Sequence, residues 1–219
     1  CGDANQGTTP GESFMTLETS PAAERNRRFI LDVLKRVLPD TGMVLEIASG
    51  TGQQAVYAAP KLSPRIWQPS DRNEHCLGMI NQWRDAEPSS NLQAPVLIDV
   101  LTQPWPVETQ PMNPAITALV AINMIHIAPW QCCEALLDGA QRILPADGVL
   151  YLYGPFRQQG EHTSPSNMAF DHSLKSRDPE WGIRDLEKVT LAAAKRQLAL
   201  MEVIPMPANN LSVVFKRHY

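Results

Sequence analysis

Short apolar runs alternate with segments of helical periodicity along most of this chain. The first helical segment spans residues 21–38, where apolar residues recur at helical spacing and Pro39 follows. This pattern predicts an amphipathic helix that ends before the proline. Residues 1–20 are rich in Gly, Thr, Ser and Pro, which predicts a flexible N-terminal tail or a remnant of cloning.

Further along the chain, seven apolar runs predict buried strands. They span residues 43–48, 65–68, 95–100, 115–124, 149–153, 198–204 and 211–216. Predicted helices cover residues 53–59, 73–84, 130–144 and 184–197, and residues 155–183 form a polar, irregular insertion. This alternation predicts one α/β domain over residues 21–219, Rossmann-like, with a mostly parallel seven-stranded sheet and helices on both faces. The last two strands lack an intervening helix, which predicts one antiparallel strand near the C-terminus.

Composition narrows the class of protein. The chain has 219 residues, 43% of them hydrophobic, and a net charge of −4, which argues against a nucleic-acid partner. No run approaches the roughly 18 apolar residues of a membrane helix, so we expect no membrane partner. Four cysteines without a Cys-x-x-Cys pair argue against a metal site and fit a cytoplasmic protein. Cys1 is better explained by cloning or a trimmed leader than by a lipid anchor.

A glycine-rich loop joins the first predicted strand to the next helix. It contains Ala48, Ser49, Gly50, Thr51 and Gly52. Glycines there allow positive φ and a close approach of the backbone to a ligand. In an open parallel sheet, ligands bind at the carboxyl ends of the strands. The loop therefore predicts a site for a nucleotide-like cofactor.

Three acidic residues indicate which cofactor the loop binds. Asp71 lies 19 positions after Gly52, at the end of a predicted strand, where a carboxylate can accept hydrogen bonds from ribose hydroxyls. Asp99 ends the next strand and could bind an adenine amino group, and Glu46 could bind loop amides or a ligand amino group. These acids favour S-adenosylmethionine over NAD, although Ala55 keeps the NAD pattern open. The alternative is that the acids only cap strand ends.

Several segments resemble the methyltransferase-like 26 family, from Ala22 to the C-terminus. They are residues 44–53 (VLEIASGTGQ), 67–71 (WQPSD), 122–127 (INMIHI), 153–156 (YGPF), 166–167 (SN), 178–185 (DPEWGIRD) and 206–210 (MPANN). The resemblance implies a class I methyltransferase fold with an S-adenosylmethionine cofactor. It implies no particular acceptor of the methyl group.

The end of the fourth strand is expected to face the reacting methyl group. His126 is the candidate general base, because histidine titrates near neutral pH, and its alternative role is structural. Asn123 is expected to orient the acceptor or the cofactor. Tyr153, at the end of the fifth strand, is a candidate wall of the same pocket.

Other polar residues are candidates for cofactor or substrate binding. Arg25 and Asn26 open the first helix and could bind the methionine carboxylate of the cofactor or the acceptor. Arg184 could clamp a substrate carboxylate or pair with Asp185 at the start of a helix. The remaining candidates for substrate binding are Asn167, Asp171, Trp181, Asn209 and Asn210.

These observations together predict a methyltransferase that uses S-adenosylmethionine and acts on a small molecule. A protein that binds S-adenosylmethionine without catalysis, for regulation or scaffolding, is the first alternative. A methyltransferase for protein or nucleic acid is the second. The sequence does not specify the accepting atom or the oligomeric state.

Overall fold

A computed structural model describes residues 16–110 and 112–219. The helices are α1 Pro21–Val37, α2 Gln53–Ala58, α3 Glu74–Ala86, α4 Pro106–Thr109, α5 Trp130–Ile143, α6 Pro165–Arg177 and α7 Leu186–Ala194. The strands are β1 Met43–Ile47, β2 Ile66–Asp71, β3 Val96–Leu97, β4 Ile116–Ile122, β5 Val149–Gly154, β6 Phe156–Gln158, β7 Glu161–His162, β8 Arg184–Asp185, β9 Leu198–Met206 and β10 Asn210–Arg217. Two short 3-10 helices span Ala59–Leu62 and Pro207–Asn209.

The main sheet has seven strands in the order β3-β2-β1-β4-β5-β10-β9. Its pairs are parallel from β3 to β5, and β10 runs antiparallel to both β5 and β9. The predicted α/β fold, with one antiparallel strand near the C-terminus, is confirmed. β1 and β4 are neighbours in the sheet, but the chain leaves β1 toward β2 and leaves β4 toward β5, in opposite directions. In such sheets, ligands bind in the crevice between the carboxyl ends of these two strands.

Two apolar layers cover the two faces of the sheet. Leu45, Leu119 and Leu150 point into the layer formed with α5 and α7. Val44 and Val120, their neighbours along the strands, point into the layer formed with α1 and α2. The strands are therefore buried on both faces, which is why they read as continuous apolar runs rather than alternating ones.

Residues 16–20, in the predicted tail, have no regular secondary structure but contact the domain. The Ser20 side chain caps α1 by accepting a hydrogen bond from Ala23 N at 3.3 Å. Ser20 N donates to the Gln53 side chain, and Trp83 Nε1 donates to Glu18 O at 2.9 Å. Cys1 and the rest of residues 1–15 lie outside the described residues.

The expectation of an irregular insertion is also wrong. Residues 155–183 contain β6, β7 and α6, and β6 pairs with β7 and β8 in a small second sheet. Helix α6 escaped prediction because two of the three residues it buries are polar: Asn167, Asp171 and Leu174. A helix whose inner face is polar has no apolar periodicity to detect.

Strand boundaries near the predicted site also differ from expectation. Strand β3 has two residues, so Asp99 lies in the turn beyond it, where its Oδ1 accepts a hydrogen bond from Leu101 N at 3.0 Å. Arg184 lies in β8 rather than in a helix, and α7 begins at Leu186. In the described parts of the chain, no helix is both long enough and apolar enough to cross a bilayer.

Two helical glycines should respond oppositely to the same substitution. A Cβ at Gly139 would overlap the buried ring of Trp105, whereas a Cβ at Gly78 meets nothing within 4 Å. We expect Gly139→Ala to lower the free energy of unfolding by about 1–3 kcal/mol through overpacking. Gly78→Ala should raise it by about 0.5–1 kcal/mol through helix propensity. Urea denaturation of both variants measures the difference, and equal effects would contradict this packing.

Candidate functional site

The loop after β1 turns through three residues with positive φ. These are Ala48 at 58°, Gly50 at 58° and Gly52 at 88°. A Cβ on Gly52 would lie 2.9 Å from Ile80 Cα, so only glycine fits there. Ala48 adopts the same left-handed region at a cost of about 1–2 kcal/mol, and backbone strain of this kind concentrates at functional sites.

Asp71, at the end of β2, holds this loop in place. Its Oδ2 accepts a hydrogen bond from Gly50 N and its Oδ1 accepts one from Asn73 N, each at 3.0 Å. Ser49 N also donates to Ser70 O at 2.8 Å. The loop is thereby fastened to β2, and each carboxylate oxygen of Asp71 keeps a lone pair for a ligand.

Glu46 is buried beneath the loop. Its Oε2 accepts hydrogen bonds from Ser49 Oγ at 2.9 Å and from Trp67 Nε1 at 3.0 Å. Burial raises the pKa of Glu46 to about 7; the Trp67 and Ser49 hydrogen bonds oppose that rise, and the charge of Asp71 adds to it. The protein therefore holds a carboxyl group that titrates near neutral pH directly against the loop.

Three cavities meet at Asn123, and together we call them the groove. The loop cavity, of about 200 Å³, is lined by Asn26, Glu46, Ser49 and Gln54 among others. The strand-end cavity, of about 250 Å³, is lined by Asp71, Arg72, Asp99, Met124, Cys132 and Trp181 among others. The insertion cavity, of about 480 Å³, is lined by Arg25, His126, Tyr153, Asn167, Phe170 and Asn210 among others.

Asn123 occupies the junction because of its backbone conformation. It follows β4 with a φ of 54°, and its N donates to Tyr153 O at 2.9 Å. Asparagine adopts the left-handed region more readily than most residues. Its neighbourhood is crowded on the β5 side, where a Cβ on Gly154 would lie 2.9 Å from His126 Cε1. The glycine therefore leaves room for the imidazole ring.

Four side chains around the groove carry buried polar atoms without a hydrogen-bond partner among the described residues. They are Asn26 Oδ1, both amide atoms of Gln54, His126 Nδ1 and the Tyr153 hydroxyl. All four side chains line the loop cavity or the insertion cavity. A buried polar group without a partner costs about 1–3 kcal/mol, so such a cluster marks a place where a ligand supplies the partners.

His126 and Tyr153 are the two residues of the insertion cavity whose side chains could exchange a proton with a ligand. Burial lowers the pKa of His126 to about 4, and the charge of Arg184 acts in the same direction. The imidazole is therefore neutral at neutral pH and packs edge-on against Phe170, with ring centroids 5.8 Å apart. Burial raises the pKa of Tyr153, while Asn26 and Asn210 beside the hydroxyl lower it.

The structure brings some of the predicted substrate residues to the groove. Asn167 lines the insertion cavity, and its Nδ2 donates to Thr163 Oγ1 at 3.2 Å and to Asn209 O at 3.0 Å. Asn210 lines the same cavity. Asn209 does not; its side chain is exposed, and its backbone oxygen makes the contact with Asn167.

Asp171, predicted as a substrate residue, lines none of the three cavities. Its carboxylate accepts hydrogen bonds from Lys175 Nζ at 2.6 Å and Ile183 N at 2.8 Å, and His162 Nε2 lies 3.4 Å away. These contacts lower its pKa against its burial. Asp171 therefore braces the insertion internally.

Arg184, the predicted carboxylate clamp, also lines none of the three cavities. Its guanidinium donates to three backbone carbonyls, of Ile125 at 3.1 Å, Ala128 at 2.6 Å and Glu180 at 2.9 Å. Arg184 thus joins the loop after β4 to the insertion. Trp181, beside it in the insertion, lines the strand-end cavity rather than the acceptor side predicted for it.

The groove also contains residues that the sequence did not indicate, among them Gln54, Phe170 and Arg72. Gln54 sits in the first turn of α2, where two adjacent glutamines precede an apolar run, and buried amides at that place could have signalled a ligand. Phe170 lies on α6, which was not predicted, and Arg72 directly follows Asp71. Residues 16–110 and 112–219 contain no cluster of His, Cys, Asp and Glu that could hold a metal ion.

The raised pKa of Glu46 predicts a pH dependence of stability. The folded protein binds this proton more tightly than the unfolded chain, so the resulting stability is complete below about pH 4.5 and disappears as the pH rises through about 7. Glu46→Gln should keep the Ser49 and Trp67 hydrogen bonds and stay neutral throughout. We expect it to be more stable than wild type at about pH 8, with a smaller difference at about pH 5. Urea denaturation at both pH values measures the difference in the free energy of unfolding between the variant and wild type. The same difference at both pH values would contradict this prediction.

The architecture matches solved methyltransferases. Human N-acetylserotonin methyltransferase, solved with S-adenosylmethionine, is 12% identical, with a TM-score of 0.74 over 90% of this chain and 53% of that one. An O-methyltransferase family 2 protein from Planctomyces limnophilus, solved with apigenin, is 20% identical, with a TM-score of 0.68 over 87% and 61%. An O-methyltransferase family protein from Burkholderia thailandensis is 11% identical, with a TM-score of 0.73 over 90% and 57%.

These similarities show that the chain has the fold of methyltransferases dependent on S-adenosylmethionine. At such low identity they show the fold alone, and the chain spans about half to three fifths of those proteins. A family profile described as "Protein of unknown function (DUF938)" matches residues 17–217, nearly the whole described chain. The chain therefore belongs to the DUF938 family.

Proposed function

We propose that this protein is a methyltransferase that binds S-adenosylmethionine in the loop and strand-end cavities and a small-molecule acceptor in the insertion cavity. One observation carries the proposal: the unpartnered buried atoms of Asn26, Gln54, His126 and Tyr153 all surround one groove. The resemblance of the sequence to the methyltransferase-like 26 family points in the same direction.

The charges of the two smaller cavities fit this cofactor better than NAD. Among the residues that the structure describes, Glu46, Asp71 and Asp99 line them, and Arg72 is the one cationic residue of the lining. S-adenosylmethionine carries a sulfonium and an ammonium group, which carboxylates attract. NAD carries a pyrophosphate, which needs free backbone amides, yet Gly50 N already donates to Asp71. The acidic lining would repel the dinucleotide.

Individual residues suit the parts of the cofactor. Asp71 and Asp99 have free lone pairs for the ribose hydroxyls and the adenine amino group, as their spacing predicts. Glu46, Asn26 and Gln54 surround the loop cavity and would hold the methionine end. When bound, S-adenosylmethionine supplies an electrophilic methyl group; the protein supplies the orientation.

The insertion cavity has the features of an acceptor site. It adjoins the other two cavities at Asn123, and its volume of about 480 Å³ lies in the range of small-molecule pockets. Neutral His126 can accept a proton at a buried nitrogen, although its lowered pKa makes it a weak base. Positioning and exclusion of water therefore supply most of the catalysis.

The alternative of a binding protein without catalysis predicts that the acceptor side is closed. The insertion cavity argues for the enzyme, because it is large and carries unpartnered polar atoms of its own. Several similar structures bear the names of O-methyltransferases, which favours an oxygen acceptor here.

Two tyrosines on β5 test the proposal as a matched pair. Tyr151 bonds Ser212 Oγ at 2.7 Å, whereas the Tyr153 hydroxyl is unpartnered at the groove. Tyr151→Phe should lower the free energy of unfolding by about 1 kcal/mol and leave methyl transfer intact, since it removes a structural hydrogen bond. Tyr153→Phe should leave stability unchanged and reduce methyl transfer by about tenfold, equivalent to one hydrogen bond in the transition state.

Release of S-adenosylhomocysteine from S-adenosylmethionine measures the transfer, with a panel of small phenols, amines and thiols as acceptors. Wild type is expected to turn over at least one class. Binding of S-adenosylmethionine without turnover of any acceptor would support the non-catalytic alternative. Equal activity in the two variants would remove Tyr153 from the site.

A further inference from the structure

Charge is divided unevenly along the groove. The loop and strand-end cavities contain Glu46, Asp71 and Asp99, whereas none of the described residues that line the insertion cavity is Asp or Glu. Within residues 16–110 and 112–219, Arg25 is the one residue of that lining with a permanent charge. The half of the groove proposed for the acceptor therefore has the opposite sign to the half proposed for the cofactor.

The guanidinium of Arg25 is available for a ligand. In the described parts of the chain it makes no hydrogen bond and no ion pair, while its neighbour Arg27 pairs with Glu24 and lies over the Tyr57 ring. Arg25 is near enough to Tyr153 for its charge to lower the pKa of that hydroxyl against burial. Its charge therefore reaches the inner wall of the cavity.

The inner wall offers neutral hydrogen-bonding groups and an aromatic ring. Asn26 lines this cavity beside the Tyr153 hydroxyl and also lines the loop cavity. The Tyr153 hydroxyl and His126 Nδ1 line the insertion cavity and have no hydrogen-bond partner of standard geometry among the described residues. Phe170, on α6, lines the same cavity and packs edge-on against His126. This wall suits a flat ring that carries a hydroxyl group.

We propose that the acceptor is a small hydroxylated aromatic carboxylic acid, whose carboxylate pairs with Arg25 while its hydroxyl faces Tyr153 and His126. This inference rests on the proposed function and names its substrate class. One guanidinium matches one carboxylate in charge, and it can bind both carboxylate oxygens in one plane. A phosphate monoester, with nearly two negative charges, would leave a charge unpaired.

The experiment compares acids with their neutral isosteres. Protein is first saturated with S-adenosylhomocysteine, and then each hydroxybenzoate isomer and the matching hydroxybenzamide is titrated by calorimetry. The pair differs only in the charge that Arg25 is proposed to recognise. We expect at least one acid to bind about tenfold more tightly than its amide, the effect of one charge-assisted pair, with the preference falling as salt is added.

Arg25→Gln and Arg28→Gln form a matched set of variants. Both residues lie on α1 and are exposed, and Arg28 lines none of the three cavities. Arg25→Gln should abolish the preference for the acid and leave the affinity for S-adenosylhomocysteine unchanged. Arg28→Gln, which removes the same net charge, should keep the preference.

The other outcomes of these titrations would contradict the pairing of Arg25 with the acceptor carboxylate. Equal binding of acid and amide by wild type, no binding of any acid, or a preference that survives in Arg25→Gln would overturn it. A large loss of S-adenosylhomocysteine affinity in Arg25→Gln would place Arg25 on the methionine carboxylate instead and would also overturn it. Failure of wild type to bind S-adenosylhomocysteine would refute the proposed function itself.

Discussion

The hydrogen bonds between Asp71 and the loop after β1 fix the arrangement on which the groove depends. Asp71 accepts from Gly50 N and Asn73 N and so joins the ends of β1 and β2. Ala48 can stay in its strained left-handed conformation only because the surrounding loop is held in this way. The same carboxylate faces the strand-end cavity, so one side chain both shapes the site and lines it.

The groove holds polar groups that the fold itself does not satisfy. A protein interior normally pairs its buried polar atoms, as Tyr151 with Ser212 and Glu46 with Trp67 show. In the described parts of the chain, half of the buried side-chain atoms that lack a partner lie around the groove, on Asn26, Gln54, His126 and Tyr153. The other half belong to Arg84, Arg157, His162, Asp185 and Thr190, which line none of the three cavities. Such a concentration is explained by a ligand that the groove has to bind, because packing alone gives no reason to keep those groups unpaired.

The sequence predicts those parts of the molecule whose structure follows from the pattern of neighbouring residues along the chain. The strands read as apolar runs because both faces of the sheet are covered. Asp71 is predictable because one helical segment and one strand separate it from the loop, which gives a regular spacing. His126, Tyr153 and Asn123 also lie where the ends of β4 and β5 should bring them.

The remaining features depend on contacts between distant segments. Helix α6 buries Asn167 and Asp171, so its pattern looks like that of a loop. Arg184 donates to the carbonyls of Ile125 and Ala128, more than fifty positions away, which no local pattern reveals. Arg25 and Asn26 lie in the same turn of α1. Arg25 lines only the insertion cavity, whereas Asn26 lines both the insertion cavity and the loop cavity.

Calorimetric titration with S-adenosylmethionine, S-adenosylhomocysteine and NAD tests the central claim, which is that the acidic groove binds the cationic cofactor. The account predicts binding of the first two with dissociation constants on the order of micromolar and no binding of NAD. Binding of NAD without binding of S-adenosylmethionine would contradict it.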